Sequence, residues 1–259
     1  MLLQNKVAIV SGIGPGMGRD ISLAFAREGA KLALAARSPG KLEKALAEVR
    51  AAGAEAISVP TDITQPEDCA RLVAAAEKAF GRVDVLVNNA FHQGTYLPVE
   101  SADLEKWREP FEVNVLGTLR LTQQVIPLMK KQGGGSIVMI NSMVIRDVLP
   151  TMADYAASKA ALMAATQGLA RELGPSQIRV NSVVPGYIWG PSLQWYFGDL
   201  AKKRGITPQQ VYDEIAAGTA LRHLPTSEEI APAVVFFASD LSRVITGQSL
   251  DVNGGHFFH

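Results

Sequence analysis

Short apolar runs recur along the chain and alternate with longer stretches of helical periodicity. The clearest runs lie at residues 6–10, 31–35, 56–59, 83–87 and 136–140, and the more mixed stretches 179–185 and 247–252 are also predicted to be strands. Continuous apolar runs of this length are typical of parallel strands that are buried on both faces. Because helical stretches separate the runs, the pattern predicts one α/β domain over residues 1–259. Its core would be a doubly wound parallel sheet of seven strands with helices on both faces.

The alternation lapses between about residues 187 and 221, where Tyr187, Trp189 and Trp195 make the chain rich in aromatic residues. A long irregular insertion over the strand ends is often a substrate lid. Its aromatic side chains either line a pocket or pack the lid against the body of the protein. The tail at residues 256–259 is also aromatic, and it either reaches a neighbouring subunit or frays.

The composition indicates a globular protein with a large core, since 47% of the residues are hydrophobic and 25 basic residues balance 25 acidic ones. This charge balance favours neither nucleic acid nor an anionic membrane surface. A lone cysteine precludes an intramolecular disulfide, and the four histidines lack ligand spacing, so no metal is expected. The start of the chain is too short and polar for a signal peptide, and no apolar run approaches a membrane span. We expect a cytoplasmic protein.

The first apolar run passes directly into a glycine-rich turn, Gly12-x-x-x-Gly16-x-Gly18, which a helical pattern follows. Glycines let the backbone approach a phosphate closely, and a helix N-terminus offers free N–H groups and the positive end of a dipole. A strand, a glycine turn and a helix in this order are the context of a dinucleotide site. The alternative is a tight turn without a ligand.

Two charged residues follow the next two strands. Arg37 stands where NAD-binding proteins often carry an acidic residue for the ribose 2′-hydroxyl. A guanidinium can pair with a 2′-phosphate through two bonds, so Arg37 favours NADP(H) over NAD(H), unless it is only a solvated loop residue. Asp62 ends the third strand, where its carboxylate either meets the adenine amino group or helps to cap the next helix.

Three asparagines stand where a polar side chain needs partners. Asn88 and Asn89 end the fourth strand, where buried asparagines usually bond the backbone or a ligand. Asn114 lies among apolar neighbours in a long helix that is predicted from about residue 101 to 131. Because asparagine is a poor residue for a helix interior, Asn114 is either a tie between helices or a site residue that holds water.

The main chemical signal is the pair Tyr155 and Lys159, which are four residues apart in a helical pattern. On a helix they share one face, and an ammonium beside a phenol would lower the phenol's pKa towards neutrality, as acid–base catalysis requires. Ser142 presents a hydroxyl from the end of the fifth strand, the edge where such sheets bind ligands. A hydroxyl and a phenol that converge on one oxygen suit the reduction of a carbonyl or the oxidation of an alcohol.

These motifs resemble the short-chain dehydrogenase/reductase superfamily in its compact single-domain branch. The resemblance covers essentially the whole chain and rests on Gly12-x-x-x-Gly16-x-Gly18, Asn88-Asn89-Ala90, Asn114, Ser142, Tyr155-x-x-x-Lys159 and Pro185-Gly186, in the family's order. It implies a Rossmann-type fold, hydride transfer between NADP(H) and a small-molecule substrate, and a homotetramer or homodimer.

The resemblance also implies a role for each matching residue. Tyr155 would be the general acid/base, and Lys159 would bind the nicotinamide ribose and lower the pKa of Tyr155. Ser142 would orient the substrate oxygen, and Asn114 would hold a water behind Lys159. The implied cofactor contacts are Gly12, Gly16 and Gly18 at the pyrophosphate, Arg37 at the 2′-phosphate, Asp62 and Ile63 at the adenine, Asn88 near the adenosine ribose and Ile188 at the carboxamide. Met17, Asn89, Ala90, Pro185 and Gly186 complete the implied cofactor site.

Two departures from the family pattern affect the predicted site. Phe91 stands where the family often has glycine, and it would form a wall of the site with His92 beside it. Gly190 stands where the family often has threonine, so one hydrogen bond to the cofactor would be missing. The expected substrate pocket consists of Phe91, His92, Met143, Tyr187, Trp189 and Trp195. These side chains favour a bulky, apolar or cyclic alcohol or ketone.

Two other functions remain open. A 3-oxoacyl-thioester reductase would use the same catalytic set, and a basic patch at the site mouth would favour it. A non-catalytic dinucleotide-binding sensor or scaffold would be expected to have lost Tyr155, Lys159 or Ser142, and all three are present.

Overall fold

The computed structural model of the protein describes residues 1–258 and contains one parallel sheet of seven strands. The strands are β1 Val7–Ser11, β2 Lys31–Ala36, β3 Ala56–Pro60, β4 Val85–Asn88, β5 Gly135–Ile140, β6 Ile178–Pro185 and β7 Ser249–Val252. Their spatial order is β3-β2-β1-β4-β5-β6-β7, and each neighbouring pair is parallel. The predicted doubly wound, Rossmann-type sheet is confirmed.

Helices cover both faces of the sheet. They are α1 Met17–Arg27, α2 Pro39–Ala51, α3 Pro66–Phe80, α4 Arg108–Phe111, α5 Thr118–Lys131, α6 Ala153–Leu173, α7 Pro191–Arg204, α8 Pro208–Ala216 and α9 Ser227–Ala238. On one face α1, α2 and α9 pack through a cluster that includes Phe25 and Val234, and on the other α3, α5 and α6 pack through Leu72 and Val125. Because both faces are covered, the central strands are apolar throughout. No helix within residues 1–258 is long and apolar enough to cross a membrane.

The strand order reverses between β1 and β4. Successive strands run outward from β1 to β3 on one side, and from β4 to β7 on the other. Ser11 pairs with Asn88, and Asn88 pairs with Met139, so the C-terminal ends of β1, β4 and β5 lie side by side. Ligands bind in the crevice outside the carboxyl ends of strands at such a reversal. This edge therefore positions the candidate site.

The long helix expected from residue 101 differs from the structure at its start. Residues Val99–Ser101 and Leu104–Trp107 form 3-10 turns, and regular helix begins only at Arg108. Pro110 lies in the first turn of α4, where its missing N–H is not needed. Between α4 and α5, residues Glu112–Gly117 form a π-helical turn around Asn114. Such turns occur frequently at functional sites.

The segment at 187–221 is helical rather than irregular, so that part of the prediction is wrong. Helices α7 and α8 each begin with a proline in the first turn, and α8 is also capped by Thr207 and Gln210 in a capping box. The two helices share a small apolar cluster that contains Phe197 and Val211. Aromatic and polar residues alternate irregularly along α7, and this spacing hides its helical periodicity in the sequence.

Candidate active site

The structure brings Ser142, Tyr155 and Lys159 together where β5 ends and α6 begins. Lys159 Nζ lies 5.8 Å from the centroid of the Tyr155 ring, and it donates a hydrogen bond to the carbonyl of Ile140 at 2.8 Å. The Ser142 hydroxyl lies close enough to the Tyr155 phenol to lower its pKa. A hydroxyl, a phenol and an amine thus meet at one point on the ligand-binding edge of the sheet.

Burial dominates the acid–base properties of this group. It raises the pKa of Tyr155 to about 12, although the bond with the Ser142 hydroxyl acts in the opposite direction. It also lowers the pKa of Lys159 to about 7. The prediction that Lys159 lowers the pKa of Tyr155 is therefore wrong for this arrangement. The cost of desolvating a buried phenolate is the larger effect, and the Lys159 amine is directed to the Ile140 carbonyl.

Asn141 holds this part of the site in place, and the sequence reasoning missed it. Its side-chain Nδ2 donates to the Lys159 carbonyl at 3.2 Å, and its Oδ1 accepts from the Ser142 N–H at 3.0 Å. One buried amide therefore fixes the end of β5 against the second turn of α6. A polar residue directly after a buried strand was the signal that could have identified it.

Asp154 is a second residue that the sequence reasoning missed. Its buried carboxylate accepts the Tyr155 N–H at 2.7 Å through Oδ1. Through Oδ2 it accepts the Thr95 N–H at 2.7 Å and the Thr95 hydroxyl at 2.9 Å. It therefore ties the loop after β4 to the first turn of α6, where the helix dipole favours a negative charge.

Asn114 ties separate elements together, which is one of the two roles that the sequence analysis left open. Its Oδ1 accepts the His92 N–H at 2.7 Å, and its Nδ2 donates to the His92 carbonyl and to the Ser158 hydroxyl, both at 2.9 Å. Both amide hydrogens are engaged, so they are not available to hold a water behind Lys159. The imidazole of His92 faces α4, with Nε2 3.4 Å from Glu109, rather than standing free to line a pocket.

The glycine turn is built around close backbone approaches. Gly12 has φ +80°, and a Cβ there would lie 2.4 Å from the Ala90 nitrogen. A Cβ on Gly18 would lie 2.4 Å from the Gly12 carbonyl, which also accepts a bond from Asn89 Nδ2 at 2.8 Å. The Asn89-Ala90 segment therefore fixes the turn from the neighbouring strand.

The outer part of this turn forms an open cradle. A Cβ on Gly14 or Gly16 would meet no atom within 4 Å. No side chain caps the first turn of α1, which begins at Met17, so its N–H groups are directed towards this space. Free N–H groups and the positive end of a helix dipole suit an anion. The residues present therefore fit the pyrophosphate of a dinucleotide.

Arg37 follows β2 beside this cradle. The glycine turn is anchored to the end of β2, because the Gly12 and Ile13 N–H groups both donate to the Ala35 carbonyl. The Arg37 side chain is exposed, and within residues 1–258 no hydrogen bond or ion pair engages its guanidinium. It therefore has donors to offer an anion close to the cradle.

The expected adenine and ribose contacts are only partly oriented to the site. Asp62 Oδ1 accepts bonds from both the N–H and the hydroxyl of Thr64, so it closes the turn before α3, whose N-cap is Gln65 with no side-chain capping bond. The Ile63 side chain is buried against Gly117. Asn88 is directed inward, with Nδ2 3.1 Å from the Thr122 hydroxyl and 3.3 Å from Met139 Sδ. The Asn88 side chain is thus not placed to contact a ribose.

The turn after β6 carries Pro185, Gly186 and Ile188. A Cβ on Gly186 would lie 2.7 Å from the Asn253 Cβ and 3.5 Å from Met143 Sδ, so the chain passes closely between these side chains. Met143 therefore lies beside this turn, and its place in a substrate pocket stays a prediction. Ile188 is partly buried against the core cluster of α1 and α9.

The aromatic side chains expected in the substrate pocket do not all face the same place. Trp189 packs inside the lid, with ring centroids 4.6 Å from Tyr212 and 5.6 Å from Phe197. Trp195 is 75% exposed and Phe91 is 59% exposed. Tyr187 instead lies next to the site turn, 5.8 Å from the ring of His256 in the tail. The tail's last residue, His259, lies outside the described residues.

Tyr96 is a residue near the site that sequence reasoning missed. Burial raises the pKa of its phenol, and Asp154 and Tyr196 raise it further. A charge on Tyr96 in turn raises the pKa of Tyr155. Electrostatic effects on pKa therefore connect Tyr96 with Tyr155 of the site and with Tyr196 of helix α7. No pattern in the sequence distinguishes this tyrosine from a loop residue.

Comparison with known proteins gives likenesses over nearly the whole chain. A family profile described as Enoyl-(Acyl carrier protein) reductase matches residues 12–256. The 7alpha-hydroxysteroid dehydrogenase of Escherichia coli K12 is 34% identical, covering 98% of this chain and 94% of that protein. A 3-oxoacyl-[acyl-carrier-protein] reductase of Staphylococcus epidermidis is 33% identical, covering 98% of this chain and 99% of that protein.

Solved structures show the same architecture. A crystal structure of NAD⁺-bound xylitol dehydrogenase superposes with a TM-score of 0.90 at 32% identity, covering 98% of this chain and 100% of that one. The family profile begins at the glycine turn and ends within the tail, so it spans the glycine turn, α6 and helices α7 and α8. The chain therefore belongs to the short-chain dehydrogenase/reductase superfamily, and it is an oxidoreductase that acts on alcohols or ketones with NAD(P).

Proposed function

We propose that the protein is an NADP(H)-dependent oxidoreductase that interconverts a bulky or cyclic secondary alcohol and its ketone. The observation that carries the proposal is the meeting of Ser142, Tyr155 and Lys159 at the end of β5, on the same sheet edge as the glycine cradle. This arrangement supplies a proton donor and an oxygen-binding hydroxyl beside a dinucleotide site. All three residues are present, which favours an enzyme over a non-catalytic sensor.

The catalytic residues divide the proton chemistry among them. A bound nicotinamide cofactor supplies or accepts the hydride. In ketone reduction, Ser142 donates a hydrogen bond to the substrate oxygen while the Tyr155 phenol gives that oxygen a proton. Lys159, whose pKa is about 7, exchanges protons readily near neutral pH and restores the proton on Tyr155. Alcohol oxidation runs the same transfers in reverse.

The preference for NADP(H) is the part of the proposal that depends on Arg37. An exposed guanidinium without a protein partner, next to the cradle, supports a contact with a 2′-phosphate. Relatives do not decide the point, because the similar xylitol dehydrogenase structure contains NAD⁺. The cofactor preference of this chain therefore has to be measured.

An Arg37→Ala variant tests this preference. We expect the KM for NADPH to rise about tenfold or more while the KM for NADH stays within about twofold, because only NADPH carries the phosphate that Arg37 pairs with. Arg243→Ala is the matched control, since Arg243 is also exposed and lies near the N-terminal ends of the strands. Equal changes for both cofactors, or a wild-type preference for NADH, would contradict the assignment.

A 3-oxoacyl-thioester reductase is the second candidate. The similarity to the Staphylococcus epidermidis reductase supports it. An acyl-carrier partner would be acidic, and helix α7 of the lid ends in Lys202, Lys203 and Arg204. Lys203 pairs with Asp199 at 2.7 Å, and Arg204 pairs with Glu214 at 2.7 Å, so most of this positive charge is balanced within the lid. A free ketone or alcohol is therefore the favoured substrate.

The proposal extends to assembly and location. We infer a cytoplasmic homotetramer or homodimer that requires no nucleic acid, membrane or metal. The exposed apolar side chains of Val244, Leu250 and Phe258 lie on or near the edge strand β7 and the tail, and they support contact between subunits. Cytoplasmic residence is supported by the single buried cysteine, Cys69, which needs no oxidising compartment.

A further inference from the structure

The loop between β4 and the first 3-10 turn, residues 89–98, is fixed at two points, one in the π-helical turn before α5 and one at the start of α6. Asn114 holds the backbone of His92, and Asp154 holds the N–H and hydroxyl of Thr95. Between them, Gly94 has φ +84°, and a Cβ there would lie 2.6 Å from Asp154 Oδ1. The loop is therefore a strap that lies tightly against the start of α6.

Tyr96 follows this anchor in an unusual conformation. Its φ is +55°, in the left-handed region that bulky residues rarely adopt. Such a conformation persists only where the surroundings determine it, and here the two bonds from Asp154 to Thr95 fix the preceding residue. Residues of this kind are concentrated at ligand sites, so the conformation of Tyr96 points to function.

The surroundings of Tyr96 leave its phenol available to a ligand. The side chain is 49% exposed, it belongs to none of the packed apolar clusters, and within residues 1–258 no hydrogen bond engages its hydroxyl. Asp154, which anchors Thr95, also accepts the Tyr155 N–H at 2.7 Å. One carboxylate thus sets the positions of Tyr96 and Tyr155 relative to each other. The effect of Tyr96 on the pKa of Tyr155, and the effects of Asp154 and of Tyr196 in α7 on the pKa of Tyr96, agree with this placement.

We propose that Tyr96 is a specificity-determining residue whose phenol hydrogen-bonds a second oxygen of the substrate, distinct from the oxygen that Ser142 and Tyr155 hold. This inference rests on the proposed function and narrows its substrate class to ring alcohols or ketones that carry a further hydroxyl or carbonyl group. The strap holds the backbone next to Tyr96 against the start of the helix that carries Tyr155, so the spacing of the two substrate oxygens becomes a criterion by which the site selects its substrate.

The alternative role for Tyr96 is a latch to the lid through Tyr196. A latch would act on every substrate alike, because it controls closure rather than recognition of an oxygen. An apolar wall would survive replacement by phenylalanine, because the ring remains. Only recognition of an oxygen predicts a loss that is confined to substrates with two oxygens.

The test compares Tyr96→Phe and Tyr196→Phe with the wild type on three probes: cyclohexanone, 4-hydroxycyclohexanone and 1,4-cyclohexanedione, each with NADPH. We expect wild-type kcat/KM to favour the two-oxygen probes by about tenfold or more, mainly through KM, because only these probes offer a second oxygen that gains a hydrogen bond from the Tyr96 phenol. Tyr96→Phe should reduce this preference to about twofold or less, and Tyr196→Phe should retain the preference. Thermal unfolding of each variant confirms that it is folded.

A binding measurement separates this inference from the proposed function. The protein–NADPH complex is titrated with cyclohexanol and with 1,4-cyclohexanediol, and the nicotinamide fluorescence is followed. If the wild type reduces none of the ketones, the proposed function fails, yet tighter binding of the diol that is lost only in Tyr96→Phe still supports the role of Tyr96. Equal binding of the two alcohols by the wild type, or equal losses in both variants, would overturn it.

Discussion

Burial shifts the pKa of Tyr155 and the pKa of Lys159 in opposite directions, and it favours the uncharged form of each side chain. The pKa of the phenol rises to about 12, and the pKa of the amine falls to about 7. Near neutral pH the site therefore holds its proton on the phenol. A protonated phenol is the form needed to reduce a ketone, so this balance favours reduction over alcohol oxidation at neutral pH.

The lowered pKa of Lys159 predicts a pH-dependent stability. The folded pKa of about 7 lies below the ordinary 10.5, so between these values the unfolded chain binds a proton that the folded chain does not. The free energy of unfolding should therefore rise with pH from about 7 towards 10, and the destabilisation is complete below about 7. Lys159→Met should remove this rise, which we expect to be about 1 kcal/mol per pH unit.

Denaturant unfolding of the ligand-free protein at several pH values measures this effect. The control is Lys202→Met, which replaces an exposed lysine of the lid helix α7 and should follow the wild type. The assignment of a buried, readily deprotonated Lys159 would be contradicted if the wild type and Lys159→Met curves ran parallel over the range.

At the scale of elements, the turn between β1 and α1 combines glycines with two different functions. Gly12 and Gly18 are required by neighbouring backbone, whereas Gly14 faces open space. Replacing the first kind should impair folding. Replacing Gly14, the second kind, should impair only the binding of a ligand in the cradle.

Gly14→Ala tests whether the open cradle holds the cofactor phosphates. We expect the unfolding temperature of the ligand-free protein to change little and the dissociation constant for NADPH to rise about tenfold or more, because the methyl group occupies the space of the phosphate. The control is Gly168→Ala in α6, where a Cβ also meets nothing within 4 Å. It should raise stability by about 0.5–1 kcal/mol without altering NADPH affinity. Unchanged affinity in Gly14→Ala would place the phosphates elsewhere.

The sequence predicts elements well where one physical rule dominates. The central strands are continuous apolar runs, and all seven predicted strands are found. It fails where tertiary contacts decide: the π-helical turn around Asn114 depends on the bonds of that side chain to His92 and Ser158. Helix α7 is likewise stabilised by packing against α8 rather than by a clear periodic face.

For the whole molecule, parallel topology assembles the site from distant parts of the chain. The C-terminal ends of β1, β4, β5 and β6 share one edge, so the glycine turn, Asn89, Ser142 and Gly186 become neighbours. Strand–helix alternation was sufficient to predict that convergence.

The direction of individual side chains could not be predicted in the same way. Asn88 turns inward to Thr122, and Trp189 packs into the lid, because each finds partners that the strand pattern does not specify. The geometry of the strap depends on the left-handed backbone of Tyr96 and on the buried Asp154 carboxylate that accepts the Thr95 N–H. Local sequence contains no signal for such a contact between the β4 loop and α6.

The most direct test of the central claim is NADPH oxidation by the wild type and Tyr155→Phe, followed by the absorbance of the reduced nicotinamide with a panel of cyclic ketones and a 3-oxoacyl thioester. We expect the wild type to reduce a cyclic ketone and the variant to lose about 10³-fold in kcat, with NADPH affinity and unfolding temperature unchanged, because only the proton donor is removed. Undiminished turnover in Tyr155→Phe would contradict the role of Tyr155. A wild type that binds NADPH but reduces nothing in the panel would contradict the proposed enzyme and favour a dinucleotide-binding protein.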